Sequence, residues 1–235
     1  MATAKILVVD DDPAIQNLIV RFLSHKDYQV ESAECGKVAL EVFDRLDPDL
    51  IILDLNLPDV NGKVLCEEMQ SRTGVFVLVL TSSTDTAEKI KLLGLGADDY
   101  LTKPFDLQEL ECRVAAILRR LRDRTNPTKP ELIFGELAIC PDRREVRIGE
   151  HFINLTALEF DLLLFLAKRP GKVWRRSELI QEVWDYDYVG DQRVVDVHIG
   201  QIRKKIEFDS AQPAMIHTVR GVGYKFEIEY AHSQN

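Results

Sequence analysis

The 235-residue sequence predicts two units in succession: a small doubly wound α/β domain on a five-stranded parallel sheet, then a separate α+β domain. Three observations carry that expectation. KILVVD, LIILD and VFVLVLT are unbroken apolar runs, as expected of parallel strands covered on both faces. Between them apolar residues recur at helical spacing: Ile15, Leu18, Ile19 and Phe22, then Ala39, Val42, Phe43 and Leu46. Beyond residue 123 the periodicity stops, and after Pro130 strands are grouped before helices instead of alternating with them.

A strand at 28–33 and another near 99–101 bring the first unit to five βα pairs. Its last helix is marked by Leu107, Leu110, Val114, Ile117, Leu118 and Leu121. That helix ends in Arg119, Arg120, Arg122 and Arg124, cations that suit the negative end of a helix dipole. The stretch 123–130 holds two prolines and no apolar period, which makes it a linker between a domain at 1–122 and a second at 131–235. In the second domain, strand-like pieces at 132–139, 145–148 and 151–154 precede helical patterns at 157–166, 177–183 and 194–206. A β-rich tail, HTVRGVGYKFEI, closes the domain.

With 46% hydrophobic and 29% charged residues the chain is globular in composition, neither fibrous nor disordered. No apolar run approaches the roughly 18–20 residues of a membrane span. The opening MATAKILVV meets its first strand at once, so no signal peptide is expected. Cys35, Cys66, Cys112 and Cys140 have neither metal-site nor redox spacing and are expected to be reduced structural thiols of a cytosolic protein. The net charge of −9 argues against indiscriminate binding to polyanions. Residues 1–124 carry 15 basic against 22 acidic side chains, and residues 125–235 carry 15 against 17. From Arg193 to Lys225, however, six basic residues face three acidic ones, a local positive charge of the kind a groove-reading element needs.

In an open α/β sheet, ligands bind beyond the carboxyl ends of the strands. Asp10, Asp11 and Asp12 end the first strand, Asp54 the third and Thr81 the fourth, while Lys103 follows the fifth. Asp12 before Pro13 is a natural helix N-cap and is set aside from the site. The remaining carboxylates would repel one another unless a cation sat among them, and oxygen ligands near a phosphate suit Mg²⁺.

The segments VVDDD, LDLNLPDVNG, LTSS and GADDYLTKPF resemble, in order and spacing, the motifs of two-component receiver domains, a flavodoxin-like fold, over residues 4–122. The resemblance implies Asp54 as phosphoacceptor and Mg²⁺ held by Asp11, Asp54, the Asn56 carbonyl and, through water, Asp10. It also implies Thr81 as switch hydroxyl, Tyr100 as switch aromatic, and Lys103 as partner of the phosphoryl group, followed by a cis peptide at Pro104. A sensor histidine kinase is the implied phosphoryl donor.

The second half, with LTALEFDLLLFLAKRPGKVWRRSELIQEVW, RVVDVHIGQIRKKIE and VRGVGYKF, resembles the winged-helix effector domain of the OmpR/PhoB subfamily. That resemblance implies double-stranded promoter DNA as ligand and a recognition helix beginning near Asp191. Val197 and Gln201 would reach base edges, Arg193, His198 and Arg203 would contact phosphates, Lys204 would belong to the same DNA-binding face, and Arg220 would enter the minor groove. The loop at 184–190 would touch RNA polymerase. Gly200 and Gln201 stand where relatives are often more basic, so binding is expected to lean on a homodimer at direct repeats. The subfamily dimerises through the helix after the fourth strand, the fifth strand and the helix after that. The expected intermolecular pairs are Lys89 with Glu109, Asp99 with Arg113, and Asp98 with Arg120, against the alternative that these are ordinary solvated charges.

Two rival functions fit the sequence less well. An aspartyl phosphatase or phosphotransferase would carry a second carboxylate two residues beyond its nucleophile, where this chain has Asn56. No glycine-rich nucleotide loop follows the first strand either. A protein- or RNA-binding adaptor is disfavoured by the basic helix and the wing.

Overall fold

The computed structural model describes residues 3–73, 75–83, 85, 96–122, 130–184 and 192–227. Lys89, the linker up to Lys129, the loop at 185–190, Asp191 and the side chain of Arg120 lie outside the described residues. The chain divides into two compact units, Met1–Asp123 and Arg124–Asn235.

In the first unit, β1 (Lys5–Val9), α1 (Pro13–Ser24), β2 (Gln29–Ala33), α2 (Gly36–Leu46), β3 (Leu50–Asp54), α3 (Gly62–Thr73), β4 (Phe76–Thr81), β5 (Asp99–Thr102) and α4 (Leu107–Arg122) follow in order. The sheet runs β2-β1-β3-β4-β5, all parallel. Every residue of β3 and β4 is buried, which is why those runs are apolar without alternation. Strand order reverses between β1 and β3, and their register pairs Val9 with Leu53. The residues after both strands therefore emerge side by side, with Thr81 of β4 paired to Thr102 of β5 one position before Lys103. Asp12 caps α1 by accepting the Ala14 amide at 2.8 Å, as its place before Pro13 predicts.

The second unit contains two antiparallel sheets. One comprises β6 (Leu132–Phe134), β7 (Leu137–Cys140), β8 (Glu145–Ile148) and β9 (His151–Ile153) in sequential order. The strand expected at 132–139 is in fact two, turned at Gly135, whose φ of 62° suits a residue without Cβ. The helices are α5 (Ala157–Ala167), α6 (Arg176–Leu179) running on into a wider π-type turn at Ile180–Trp184, and α7 (Arg193–Ile206). The second sheet orders as β10 (Trp174–Arg175), β12 (Gly223–Phe226) and β11 (Ile216–Val219). The hairpin expected at the tail is β11 and β12.

Helix α5 is apolar on nearly all sides, with Leu158, Phe160, Leu162, Leu163 and Leu166 buried, so it forms the centre of this core. A capping box starts it. Thr156 Oγ1 accepts the Glu159 amide at 3.3 Å, and the Glu159 carboxylate accepts the Thr156 amide at 2.8 Å. The same carboxylate, 2% exposed, pairs with Lys205 of α7 at 2.6 Å. Replacing Thr156 by Ala is expected to cost about 1 kcal/mol, read as a lowered melting transition of the second unit with DNA affinity little changed.

Candidate functional site

The register of the first sheet gathers an acidic cluster beyond its carboxyl edge. Asp10 is fully buried, Asp54 is 5% exposed, and Asp11 is exposed beside them. One ligand oxygen from each lies within 4.8 Å of the others. The Lys103 ammonium reaches in from beyond β5, bonding the Asp10 carboxylate at 2.6 Å and the Asp54 carboxylate as well. The Lys103–Pro104 peptide is cis. The other oxygen of Asp10 accepts the Asp12 amide at 3.0 Å, and that of Asp54 the Asn56 amide at 2.8 Å. Burial pushes the Asp10 carboxyl above its ordinary range, against the pull of Lys103. Burial alone would lower Lys103, but its bonds to Asp10 and Asp54 outweigh that and hold it charged. One ammonium thus serves two carboxylates while a third stands close by, a residual negative charge that fits a divalent cation.

Thr81 is 7% exposed, and its hydroxyl oxygen accepts the Ser83 amide at 3.1 Å. Tyr100, on the neighbouring strand, is half-buried against the core under the sheet. Asp11, Asn56, Thr81 and Ser82 line an open cleft of about 800 Å³. A carboxylate bonded to a fixed cation, with a hydroxyl on the adjoining open cleft, suits a small polyanionic group such as a phosphoryl.

In the second unit the basic helix α7 and the β11–β12 hairpin are tied together. Asp196 accepts from the Arg176 guanidinium at 2.6 Å and from the Tyr224 hydroxyl at 2.7 Å. Two turns along α7, Arg203 donates to the Ile216 carbonyl at 2.6 Å and to the Thr218 hydroxyl at 2.8 Å. Burial and the neighbouring Asp196 push the Tyr224 phenol upward. Arg220 stands exposed at the hairpin tip, beside Gly221 at φ 74°.

Family models for a response regulator receiver domain and for a transcriptional regulatory protein C terminal match residues 6–115 and 149–226. The chain is 41% identical over 231 residues to the alkaline phosphatase synthesis transcriptional regulatory protein PhoP of Bacillus subtilis, covering 95% of this chain and 96% of that one. It is a two-component response regulator of the OmpR/PhoB type. The DNA-binding response regulator MtrA of Mycolicibacterium smegmatis is 42% identical over 222 residues, with 94% and 96% covered. Among solved structures, a mutant of RitR superposes with a TM-score of 0.80 at 30% identity over 96% of this chain and 99% of that one. The regulator is therefore a phosphorylation-controlled DNA-binding protein, from a family of transcription regulators and not of conventional enzymes. Among its described residues no helix is long and apolar enough to cross a membrane.

In the regulator Asp10, Asp11, Asp54 and Lys103 come together, Asp11, Asn56 and Thr81 line the adjoining cleft, and Tyr100 packs against the core. On α7, Arg193 and Lys204 are exposed and Val197 and Gln201 half-exposed. His198 is a correction. It is fully buried, its ring 5.6 Å from that of Trp184, and does not face outward toward a phosphate. Arg203 is half-buried, and its guanidinium holds the wing. Asp98 and Asp99 of the expected dimer face are not solvated surface charges either. Asp98 is fully buried and accepts the Val77 amide at 2.7 Å; Asp99 is 4% exposed. Expected between two chains, the Asp99–Arg113 pair forms within one at 2.6 Å, alongside Glu109–Arg113 at 2.8 Å. The clamp of Arg176, Asp196 and Tyr224 has no sequence signal, because Arg176 and Tyr224 lie 20 and 28 residues from Asp196 along the chain.

Proposed function

We propose that Asp54 accepts a phosphoryl group from the phosphohistidine of a sensor kinase, and that this drives receiver dimerisation and binding to direct-repeat promoter sites. The observation that carries the chemistry is the Lys103 ammonium bridging Asp10 and Asp54 beside Asp11. The Asp54 carboxylate attacks phosphorus in line. The new oxygen–phosphorus bond forms as the nitrogen–phosphorus bond of the donor breaks, and the histidine departs with its electron pair. Lys103 neutralises a phosphoryl oxygen throughout. Asp11, Asp54 and the Asn56 carbonyl would hold Mg²⁺, with Asp10 acting through water. Bound there, the ion supplies Lewis-acid neutralisation of the transferring group. Thr81 then exchanges its contact with the Ser83 amide for donation to a phosphoryl oxygen, and Tyr100 turns into the space left.

Dimerisation uses the face carrying Asp99, Glu109 and Arg113, with Lys89 and Arg120 completing it; Asp98, fully buried, is not counted in it. Arg113 would exchange its bonds within its own chain for bonds across the axis. The DNA contacts rest on Val197 and Gln201 for bases, Arg193 and Lys204 for phosphates, and Arg220 for the minor groove. Arg203 positions the wing and is not counted among the phosphate contacts. RNA polymerase is the partner proposed for the loop after Trp184.

Titrating binding to a direct-repeat duplex against salt tests the reader. Arg193→Ala should weaken binding and reduce the slope of log affinity against log salt by about 1, the share of a single neutralised phosphate. Binding insensitive to salt, or restricted to protein baits, would favour the adaptor instead.

A further inference from the structure

Helix α2 lacks a cap of its own. Cys35, at its N-cap, makes no side-chain hydrogen bond to the first turn. The orphan amides are satisfied from elsewhere in the fold. Asp59, in the loop after β3, accepts the Gly36 amide through one carboxylate oxygen at 2.8 Å and the Lys37 amide through the other at 2.9 Å. Those two bonds hold the Asp59 carboxyl below its ordinary range. The loop also leans on the helix sterically: a Cβ on Gly36 would lie 2.1 Å from Val60 Cγ1.

The same loop is fastened at two further points. The Asn56 amide bonds the Asp54 carboxylate at 2.8 Å. Gly62 packs so closely on the chain that a Cβ there would lie 2.5 Å from Leu55 Cα, and its amide bonds the Leu55 carbonyl at 3.2 Å. Between these anchors the loop is tied to a different element by Asp59 on α2. The carbonyl of Asn56, the backbone ligand proposed for Mg²⁺, belongs to this loop.

We infer that Asp59 is a positioning residue for the phosphoryl-transfer site: by fixing the loop to α2 it sets where the Asn56 carbonyl stands, and so tunes Mg²⁺ affinity. It touches neither the ion nor the phosphoryl group. The inference rests on the Mg²⁺ reading given above. Outer partners that orient a metal ligand are worth about 10- to 100-fold in metal affinity when removed. Asp59→Ala should therefore weaken Mg²⁺ by about tenfold without abolishing phosphorylation at saturating ion. Asp59→Asn keeps one acceptor oxygen and should fall between. Gly36→Ala leaves both amides in place but pushes Val60, and should weaken Mg²⁺ in the same direction.

The test is calorimetric titration of Mg²⁺ into the full chain and the three variants, beside thermal melting and the rate of labelling by a small phosphodonor at saturating Mg²⁺. The expected result is a raised dissociation constant in the order wild type, Asp59→Asn, Asp59→Ala, with maximal labelling rate nearly unchanged. Unchanged Mg²⁺ affinity in Asp59→Ala and Gly36→Ala, with a lowered melting temperature, would overturn the inference and leave Asp59 as a helix cap only. Failure of the wild type to bind Mg²⁺ would overturn the Mg²⁺ reading itself.

Discussion

Asp54→Ala should lose phosphoryl uptake entirely while the receiver stays folded. Asp54 is the carboxylate that both ends β3 and bonds the Lys103 ammonium, and no neighbour can substitute for it. Asp10 is fully buried and already committed to Lys103 and the Asp12 amide, while Asp11 stands exposed beside that pair. Folding should survive because Lys103 keeps Asp10 at 2.6 Å, so no buried charge is stranded. Intact-mass measurement after incubation with a small phosphodonor should show one phosphoryl group on the wild type and none on the variant. Labelling of the variant would move the acceptor elsewhere.

The second large effect is expected in the wing. Gly223 begins β12, where a Cβ would lie 2.0 Å from the Trp174 carbonyl oxygen and 3.1 Å from Arg175 Cα. The obstacle is backbone of the paired strand β10, which cannot swing aside as a side chain could. Gly223→Ala must therefore part β10 from β12 and disturb the neighbouring Tyr224, whose hydroxyl ties the hairpin to α7 through Asp196. A cost of about 3 kcal/mol is expected, a fall of more than about 10 °C in the melting of the second unit. DNA affinity should drop with it, because Arg220 would no longer be held at a fixed angle to α7. Trp174 fluorescence and the melting curve check this together. Gly221→Ala, at a tip open to solvent, should cost much less than Gly223→Ala.

The receiver is largely legible in the sequence because its signals are local. Continuous apolar runs mark β1, β3 and β4, and the motif residues fall at strand ends, so topology alone brings them together. In the second unit the features without a signal are short or distant. Strand β10 has two residues, too few for any period, and Gly135 breaks 132–139 into a hairpin that hydrophobicity does not signal. His198 departs from expectation for a different reason. It lies four residues from both Val194 and Ile202, on the buried stripe of α7, where the helical period points inward. Charge suggests a phosphate contact where geometry gives a core residue. Lys205 and Arg203 likewise read as free cations because their partners, Glu159 and the β11 backbone, are far away in sequence.

In the function proposed above, phosphorylation of Asp54 couples the receiver to DNA. The most direct test of that coupling is molar mass by light scattering together with affinity for a direct-repeat duplex, with and without beryllofluoride and Mg²⁺. A monomer should become a dimer on adding beryllofluoride, with binding tightened about tenfold. An unchanged mass and an unchanged affinity, in a protein that still binds DNA, would contradict it.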